Sequence, residues 1–411
     1  MPRIFSIAPA AFLLTSALAA PTPPPVPALE KLQRDANSGD AVAMNKLAYR
    51  YFTGAGFDAD SRKAFELFRK SAEAGHAVAM INVARCYRAG DGVPKNEERA
   101  KEWMQKALRV TETAAKDGDT TAMFALASIY EFGIADMPAD KARSREWLKK
   151  GAQPGDPRAM SALALSLLEE NNPDAQAAFG WALKAANAGE LKAMTLVSQL
   201  FANGQGVARD EKQSLAWLQK AADGGHAAAM RLLAERYDRG EGVAVDQTQA
   251  QRWMEKAAAA GDTKAMNDLG NRFASGAGVN KDEKNAARYF QAAAYSGDAQ
   301  GMFNFALALA NGRGVERDEE LAAMWYQRAA DTGNTSAMNN LGLLYMNARG
   351  VDRDPTKGAA LFRKAADAGN RDAMRNLAKV YREGAGVAAD PQRAQEWEQH
   401  AAAVAPSATA H

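Results

Sequence analysis

One stretch of the chain contains a complete two-helix unit. Residues 261–296 read GDTKAMNDLGNRFASGAGVNKDEKNAARYFQAAAYS. Asp262 can cap a first helix, in which positions 0, 3, 4 and 7 counted from Met266 share one face and hold Met, Leu, Gly and Phe. The Gly-Ala-Gly-Val sequence of residues 276–279 ends that helix, and Asp282 can cap a second one. The stretch therefore predicts two helices joined by a short turn.

The same unit recurs along most of the chain. A small residue followed by Met occurs ten times, at spacings of 36, 43, 37, 34, 36, 36, 36, 36 and 36 residues. The ten methionines are Met44, Met80, Met123, Met160, Met194, Met230, Met266, Met302, Met338 and Met374. Gly stands five residues before each Met, and Ala, Gly or Ser stands four residues after it, where a small side chain lets a neighbouring helix approach closely. A two-helix unit with such a period is typical of an α-solenoid. The sequence thus predicts an all-α solenoid of about ten repeats over residues 29–401.

Two other recurring features have structural interpretations. Gly-x-Gly-Val follows the first helix in six repeats, but a phosphate-binding loop would need a preceding strand and a Lys-Ser or Lys-Thr ending. These loops are therefore interpreted as turns between helices. A Trp or another bulky residue recurs in the second helix, for example Trp217 and Trp253, and this spacing favours a place in the core.

The repeats depart from their own rule in three places. The spacing of 43 places seven extra residues after Trp103, which is nearly two helical turns and can lengthen a helix without rotating its face. The turn of the third repeat is blurred at residues 133–136, and that of the fourth is replaced at residues 169–174. These irregular repeats can mark a specialised region or neutral drift in loops, and both interpretations remain open.

The N-terminus has the order of a secretory signal peptide. Arg3 precedes a largely apolar segment that ends in Ala17-Leu18-Ala19, a small-x-small cleavage site. The alternative, a membrane anchor, is less favoured because the apolar run is short and contains Pro9. We expect a signal peptide at residues 1–19, a Pro-rich linker at residues 20–28, and a periplasmic or secreted chain. At the other end we expect a capping helix at Trp397-Glu398 and a disordered tail at residues 402–411.

Composition excludes several classes of function. Lys and Arg number 51 against 49 Asp and Glu, and a formal charge of +2 argues against nucleic acid or an anionic membrane as the main partner. The single cysteine, Cys86, excludes an internal disulfide and a thiolate zinc site within the chain. Four scattered His residues argue against a His-rich metal centre, and no nucleophile or zinc-protease motif is present. We therefore expect no cofactor, no metal and no catalytic residue.

The repeat pattern resembles the Sel-one-like repeat family, a relative of the tetratricopeptide repeat. The resemblance is carried by the Ala-Met-x-x-Leu-Gly/Ala-x-x-Tyr helix, the Gly-x-Gly-Val turn and the Asp-x-x-x-Ala-x-x-Trp-x-x-Lys-Ala-Ala helix, over about residues 28 to 401. It implies a right-handed α-α superhelix whose members commonly act as adaptors. Some cysteine-rich members are linked to penicillin binding, but their paired cysteines are missing here.

The resemblance also implies a binding groove. By analogy with tetratricopeptide repeats, the concave side is lined by positions one, five and eight residues after each Met. The candidate partner-binding residues at these positions are Asn45, Tyr49, Ile81, Arg85, Arg88, Phe124, Arg231, Asn267, Asn271, Phe303, Asn339, Arg375, Lys379 and Arg382. Their mixture of Asn, Arg and aromatic residues suits an extended peptide, and the arginines could clamp a carboxylate. An idle solvated face would explain the variation equally well.

The sequence therefore favours a non-catalytic, exported scaffold that binds a protein or peptide, in envelope signalling or assembly. Two alternatives remain open at this point. One is an envelope enzyme, or a subunit of one, that acts on peptidoglycan or β-lactam compounds. The other is an accessory protein that binds cell-wall glycan directly.

Overall fold

The computed structural model describes residues 26–53, 60–133, 138–169 and 173–404. Across these ranges the chain consists of 21 helices without a strand, which confirms the predicted all-α fold. The predicted signal peptide of residues 1–19 and residues 405–411 of the predicted tail lie outside the described residues. So do residues 134–137 and 170–172, which form most of the two irregular turns. Residues 402 and 403, which were assigned to the disordered tail, belong to the last helix instead.

The chain divides into two compact units, Met1–Pro154 and Gly155–His411. In the first unit, one helix precedes three helix pairs. The helices are α1 (Val26–Asn37), α2 (Ala41–Thr53), α3 (Ser61–Glu73), α4 (Ala77–Ala89), α5 (Glu97–Lys116), α6 (Thr120–Phe132) and α7 (Lys141–Ala152). α1 begins inside the segment predicted as a linker. α5 has 20 residues, whereas the other second helices have 12 or 13, so the predicted insertion does lengthen a helix.

The second unit contains seven helix pairs. Its helices are α8 (Pro157–Leu168), α9 (Ala175–Asn187), α10 (Leu191–Asn203), α11 (Glu211–Asp223), α12 (Ala227–Arg239), α13 (Gln247–Ala259), α14 (Thr263–Ser275), α15 (Glu283–Tyr295), α16 (Ala299–Asn311), α17 (Glu319–Asp331), α18 (Thr335–Asn347), α19 (Pro355–Asp367), α20 (Arg371–Glu383) and α21 (Pro391–Ala403). Within each unit, the two helices of a pair pack on each other, and the second helix packs on the first helix of the next pair. Each unit is therefore a solenoid in which a repeat contacts its neighbours.

Small residues bring the helices of a repeat close together. A methyl group added at Gly270, four residues after Met266, would overlap the ring of Phe290 in the second helix of the same repeat. Gly342 stands in the same relation to the ring of Phe362. The aromatic ring of the second helix fills the space that the missing side chain of the glycine leaves. The glycine of the first helix and the Phe of the second helix are therefore complementary parts of one core.

The turns depend on glycine for a second close approach. Gly312 ends α16 in the left-handed conformation, with φ of 67°. Gly314 has φ of 71°, and a methyl group there would overlap the carbonyl of Glu283 at the start of α15 in the preceding repeat. The second helix that follows is capped by Asp318, whose carboxylate accepts the backbone N–H of Leu321 at 2.8 Å. The turn therefore joins two helices and also contacts the previous repeat.

The tryptophans of the second helices belong to the core, as predicted. Trp253 and Trp325 are 8% and 4% exposed, and Trp217 is partly buried against the same kind of cluster. A basic residue three positions later lies over each ring, as Lys256 does over Trp253 at 3.9 Å from the ring centre. A buried ring that also carries a cation has little open π-face left for a ligand.

The last helix has the outer face of a cap. In α21 only Ala394 and Ala401 are fully buried, whereas Glu398 is exposed and pairs with Arg382 of α20. A polar outer face at the end of a solenoid keeps water in contact with the terminal repeat. The exposed Glu398 fits a capping helix, which stays a prediction.

The two kinds of glycine predict a difference in stability. We expect Gly314→Ala to lower the free energy of unfolding by about 3 kcal/mol, because left-handed strain adds to overlap with Glu283. Gly333→Ala, also at positive φ but with open space around its new methyl group, should cost about 1–2 kcal/mol. Urea unfolding followed by circular dichroism measures both. Equal losses would show that the turn does not depend on contact with the previous repeat.

Candidate functional site

Each first helix exposes a narrow stripe of side chains. In α2 the exposed side chains include Val42, Lys46 and Tyr49, which lie two residues before and two and five residues after Met44. The stripe recurs in α20, where Lys379 is exposed at the position of Tyr49. A partner that approaches the first helices would therefore meet these positions first.

The predicted groove positions differ in how open they are. Five residues after the Met, the side chains of Tyr49, Arg85, Asn271 and Lys379 are exposed. One residue after the Met, Arg375 is exposed, but Asn45, Ile81, Phe124, Arg231, Asn267, Phe303 and Asn339 are half-buried or buried. Eight residues after the Met, Arg88 is half-buried and Arg382 is exposed. The position five after the Met is thus the most accessible of the three.

The covered position, one after the Met, bonds to the cap of the next first helix. Three such pairs are Arg231 with Asp262, Asn267 with Asp298 and Thr195 with His226, at 3.3, 2.7 and 2.8 Å between the bonding atoms. Partners are 31 residues apart in every case. The position after the Met and the capping position of the next first helix were interpreted separately from the sequence. A donor followed 31 residues later by a capping acceptor is nevertheless a signal of this contact that the sequence contains. These side chains hold repeats together.

Asparagine pairs make a second inter-repeat contact with a spacing of 37 residues. The pairs are Asn45 with Asn82, Asn267 with Asn304 and Asn339 with Asn376, and in each the later residue donates from Nδ2 to Oδ1 of the earlier one. The Nδ2 of Asn267 also donates to the backbone oxygen of Thr263 and to Asp298. By contrast, the Nδ2 of Asn45 and the Oδ1 of Asn82 have no further partner among the described residues. The first pair keeps a donor and an acceptor available.

Charges on α12 and α14 are largely neutralised within the protein. Arg231 pairs with Glu235 at 2.5 Å, and Arg272 of α14 pairs with Asp238 of α12. Asp268 lies among them, half-buried, and burial together with the charge of Glu235 raises the pKa of its carboxyl. This part of the first-helix surface is therefore a self-contained ionic network.

The face of α2 and α4 is different, because it contains a cavity of about 320 Å³. The cavity is lined in part by Tyr49, Phe52, Phe68, Asn82, Arg85 and Arg88. Tyr49 is 57% exposed and Phe52 37% exposed. The structure thus brings together Tyr49, Arg85 and Arg88, three of the predicted groove residues, whereas the others do not line this cavity.

Two lining residues escape sequence reasoning. Asn82 lies two residues after its Met, a position that the tetratricopeptide analogy does not include. Phe68 belongs to α3, a second helix whose bulky residues were assigned to the core, and it is indeed buried at its place beneath Phe52. Their ring centres are 6.5 Å apart. Only the packing of α2, α3 and α4 shows that a core residue shares one cavity with the groove residues Tyr49, Arg85 and Arg88.

The remaining candidates lie along the other first helices. Arg375 pairs with Asp372 at 3.5 Å, and Lys379 with Glu383 at 4.0 Å, both at exposed positions where ion pairs contribute little. Phe303 packs on Tyr326 with ring centres 5.9 Å apart. Their role in binding stays a prediction.

Among the described residues, no group of three or more His, Cys, Asp or Glu is placed to hold a metal ion. No helix in the described part of the chain is long and apolar enough to cross a membrane. Cys86 is buried beside the cavity, and burial raises the pKa of its thiol to about 11, so the thiol is neutral at physiological pH.

Comparison with known proteins places this architecture. The family model of the Sel1 repeat matches ten segments: residues 41–76, 77–109, 120–156, 157–190, 191–226, 227–262, 263–298, 299–334, 335–370 and 371–403. A protective antigen of uropathogenic Escherichia coli strains, with the same repeat fold, is 30% identical in sequence, with a TM-score of 0.52. The match covers 91% of this chain and 79% of that one. A Sel1 repeat protein from Oxalobacter formigenes is 26% identical, with a TM-score of 0.49, over 81% of this chain and 98% of that one. No curated protein matches the sequence.

The ten segments coincide with the ten helix pairs from α2 to α21. Proteins built from this repeat are generally non-catalytic scaffolds, and the repeat fold is commonly used to bind proteins. The question for this chain is therefore which part of its surface is available to a partner.

The inter-repeat contacts predict unequal effects of two neighbouring asparagines. We expect Asn267→Ala to lower the free energy of unfolding by about 1–3 kcal/mol, because it removes bonds to Asp298 and Asn304 from a buried site. The control is Asn271→Ala on the same helix, which is exposed and should change stability by less than about 0.5 kcal/mol. Urea unfolding measures both. A neutral Asn267→Ala would contradict the structural role of this position.

The ionic network predicts a dependence on pH. Because the folded state raises the pKa of Asp268, its charge destabilises the fold above that raised pKa. Asp268→Asn should therefore raise the melting temperature at pH 7. The gain should vanish as the pH falls below the ordinary carboxyl pKa, where the group is protonated in both states. Thermal unfolding between pH 3 and pH 7 tests this, and a gain that does not depend on pH would refute it.

Proposed function

Because this chain belongs to the Sel1 repeat family, we propose that it is a non-catalytic, exported scaffold that binds a protein or peptide along the exposed stripe of its first helices. In this proposal residues 1–19 are a signal peptide, the mature chain resides in the periplasm or the medium, and its partner belongs to envelope signalling or assembly. The order of charge, apolar run and cleavage site at the N-terminus supports export.

One observation carries the proposal, which is the exposed apolar surface on α2 and α4. Nine large apolar side chains are well exposed in the described part of the chain, and four of them, Val42, Tyr49, Phe52 and Val78, lie on these two helices. Exposed apolar groups that cluster on one face mark interaction sites more often than scattered ones do. The cavity adds a concave anchor point to this face.

Binding of a peptide fits the available polar groups as well. The free Nδ2 of Asn45 and Oδ1 of Asn82 offer one donor and one acceptor, which are the two groups that a peptide backbone pairs with. The side of the second helices offers less, because rings such as Trp217 and Trp253 are packed against the core and each carries a lysine. Stacking of a cell-wall sugar on those rings is therefore not favoured.

Photo-crosslinking in the native host tests the proposal. A photoreactive amino acid replaces Tyr49, Asn271 or Lys379 on the first helices, or Glu255 or Lys364 at exposed positions of second helices as matched controls. We expect one dominant envelope protein to be captured from at least one first-helix position and from neither control. Mass spectrometry of the crosslinked complex should also show that the mature form of this protein begins at residue 20 or 21.

Three results would contradict the proposal. Equal capture from first-helix and second-helix positions would show that the first helices are not the binding face. Absence of any captured protein at all three first-helix positions would rule out a protein scaffold. An intact residue 1 in the mature chain would rule out export through this signal.

A further inference from the structure

We propose that the cavity of α2 and α4 binds an acidic segment of the partner, with one apolar side chain inserted beside Tyr49 and Phe52 and a carboxylate held by Arg85. The inference rests on the proposed scaffold function and specifies the ligand of one surface. It is carried by the charge of the two helices, the shape of the cavity and the polar groups left available at its edge.

The charged side chains of α2 and α4 themselves are all basic. α2 carries Lys46 and Arg50, α4 carries Arg85 and Arg88, and neither helix contains Asp or Glu. The comparison with α20 is informative, because that helix is also rich in basic residues but contains Asp372 and Glu383, which pair with its own cations. A surface with an excess of positive charge attracts acidic ligands and disfavours basic ones.

The cations at the cavity are available to a ligand. Arg85 has no hydrogen-bond or ion-pair partner among the described residues, and its side chain is exposed. Arg88 lies 3.6 Å from Glu97, an exposed pair that contributes little and can be exchanged for a better one. Asp91 is the one acidic residue in the described lining, so the two arginines leave the cavity with a positive balance. A guanidinium with free donors can hold a carboxylate through two parallel hydrogen bonds.

The size and surface of the cavity specify what enters it. Its volume of about 320 Å³ lies at the small end of the range for ligand pockets, so it accommodates a side chain and excludes a folded element. Phe52 and Phe68 form an aromatic wall, and the neutral thiol of Cys86 adds a further weakly polar surface. An aromatic or large aliphatic side chain complements this lining best.

The edge of the cavity specifies an extended backbone. Asn82 lines the cavity and donates to Asn45, which leaves the Nδ2 of Asn45 and the Oδ1 of Asn82 available. A peptide group can accept a hydrogen bond from the first and donate one to the second. The equivalent Asn267 cannot do so, since its donors and its acceptor already bond to Thr263, Asp298 and Asn304. This difference distinguishes α2 and α4 from α14 and α16.

The carboxylate can come from an Asp or Glu side chain or from the end of a chain, and the test distinguishes these sources. Two displayed libraries of random heptapeptides, one with internal peptides and one with free C-terminal carboxylates, are selected on the full-length mature protein. A parallel selection uses the Tyr49→Ala, Arg85→Glu variant. We expect peptides that combine an aromatic or large aliphatic residue with Asp or Glu to be enriched on the wild type and absent from the variant. Enrichment only among free C-termini would assign the carboxylate to a chain end.

Binding of the best selected peptide is then measured by fluorescence anisotropy. Arg85→Ala should weaken it at least about tenfold, since a hydrogen bond to a charged group is lost. Lys364→Ala removes an exposed cation from α19, a second helix outside the proposed binding face, and should change binding less than about twofold. Circular dichroism checks that both variants are folded. Added salt should weaken binding to the wild type.

Three outcomes would overturn the inference: no enrichment from either library, enrichment of basic or uncharged peptides, or binding that is equally sensitive to Arg85→Ala and Lys364→Ala. The crosslinking experiment separates this failure from failure of the scaffold. If a photoreactive residue at position 271 or 379 captures a protein while the libraries yield no acidic peptide, the scaffold proposal is retained and the proposed acidic ligand of α2 and α4 is wrong. If no first-helix position captures a protein, the scaffold itself is wrong.

Discussion

The close approach of neighbouring helices is the constraint on which the rest of the structure depends. A ring such as Phe290 occupies the space above Gly270, and the turn at Gly314 lies directly against the backbone at Glu283. Side chains at these positions cannot grow without separating the helices. Because each repeat buries its faces only against its neighbours, a small residue recurs four residues after the Met in every repeat.

First-helix positions outside this constraint vary from repeat to repeat, and their side chains fall into two groups. In α12 and α14, side chains such as Arg231, Asn267 and Arg272 bond to the next or the preceding repeat. In these helices, the residue types at the variable positions are explained by the contacts between repeats. In α2 and α4, exposed apolar and cationic groups surround a cavity and retain bonding capacity. There, we propose that a partner accounts for the variation, because Tyr49 and Phe52 expose apolar surface.

The fold could be predicted almost completely from the sequence, because the period, the small residue after the Met and the Asp or Asn that caps the second helix are local signals that recur along the chain. The length of α5 followed from simple helical geometry as well. The site was harder to predict. Tyr49, Arg85 and Arg88 were predicted as groove residues, but so were Asn267 and Arg231. All five occupy positions whose residue type changes from repeat to repeat, so the sequence does not separate them. What separates the two groups is contact with residues 31 and 37 positions away, which a count from one Met does not contain. Asn82 and Phe68 were missed for the same reason.

The difference between side chains that are hydrogen-bonded within the protein and side chains that keep a free donor can be measured directly. Solvent exchange of side-chain amide protons, followed by nuclear magnetic resonance on the full chain, reports whether an Asn donor is bonded within the protein. The structure predicts that the Nδ2 protons of Asn267 exchange slowly, because they bond to Thr263 and Asp298, and that those of Asn45 exchange much faster. Equal protection of the two amides would contradict the account, since α2 and α4 would then be as self-contained as the rest of the solenoid.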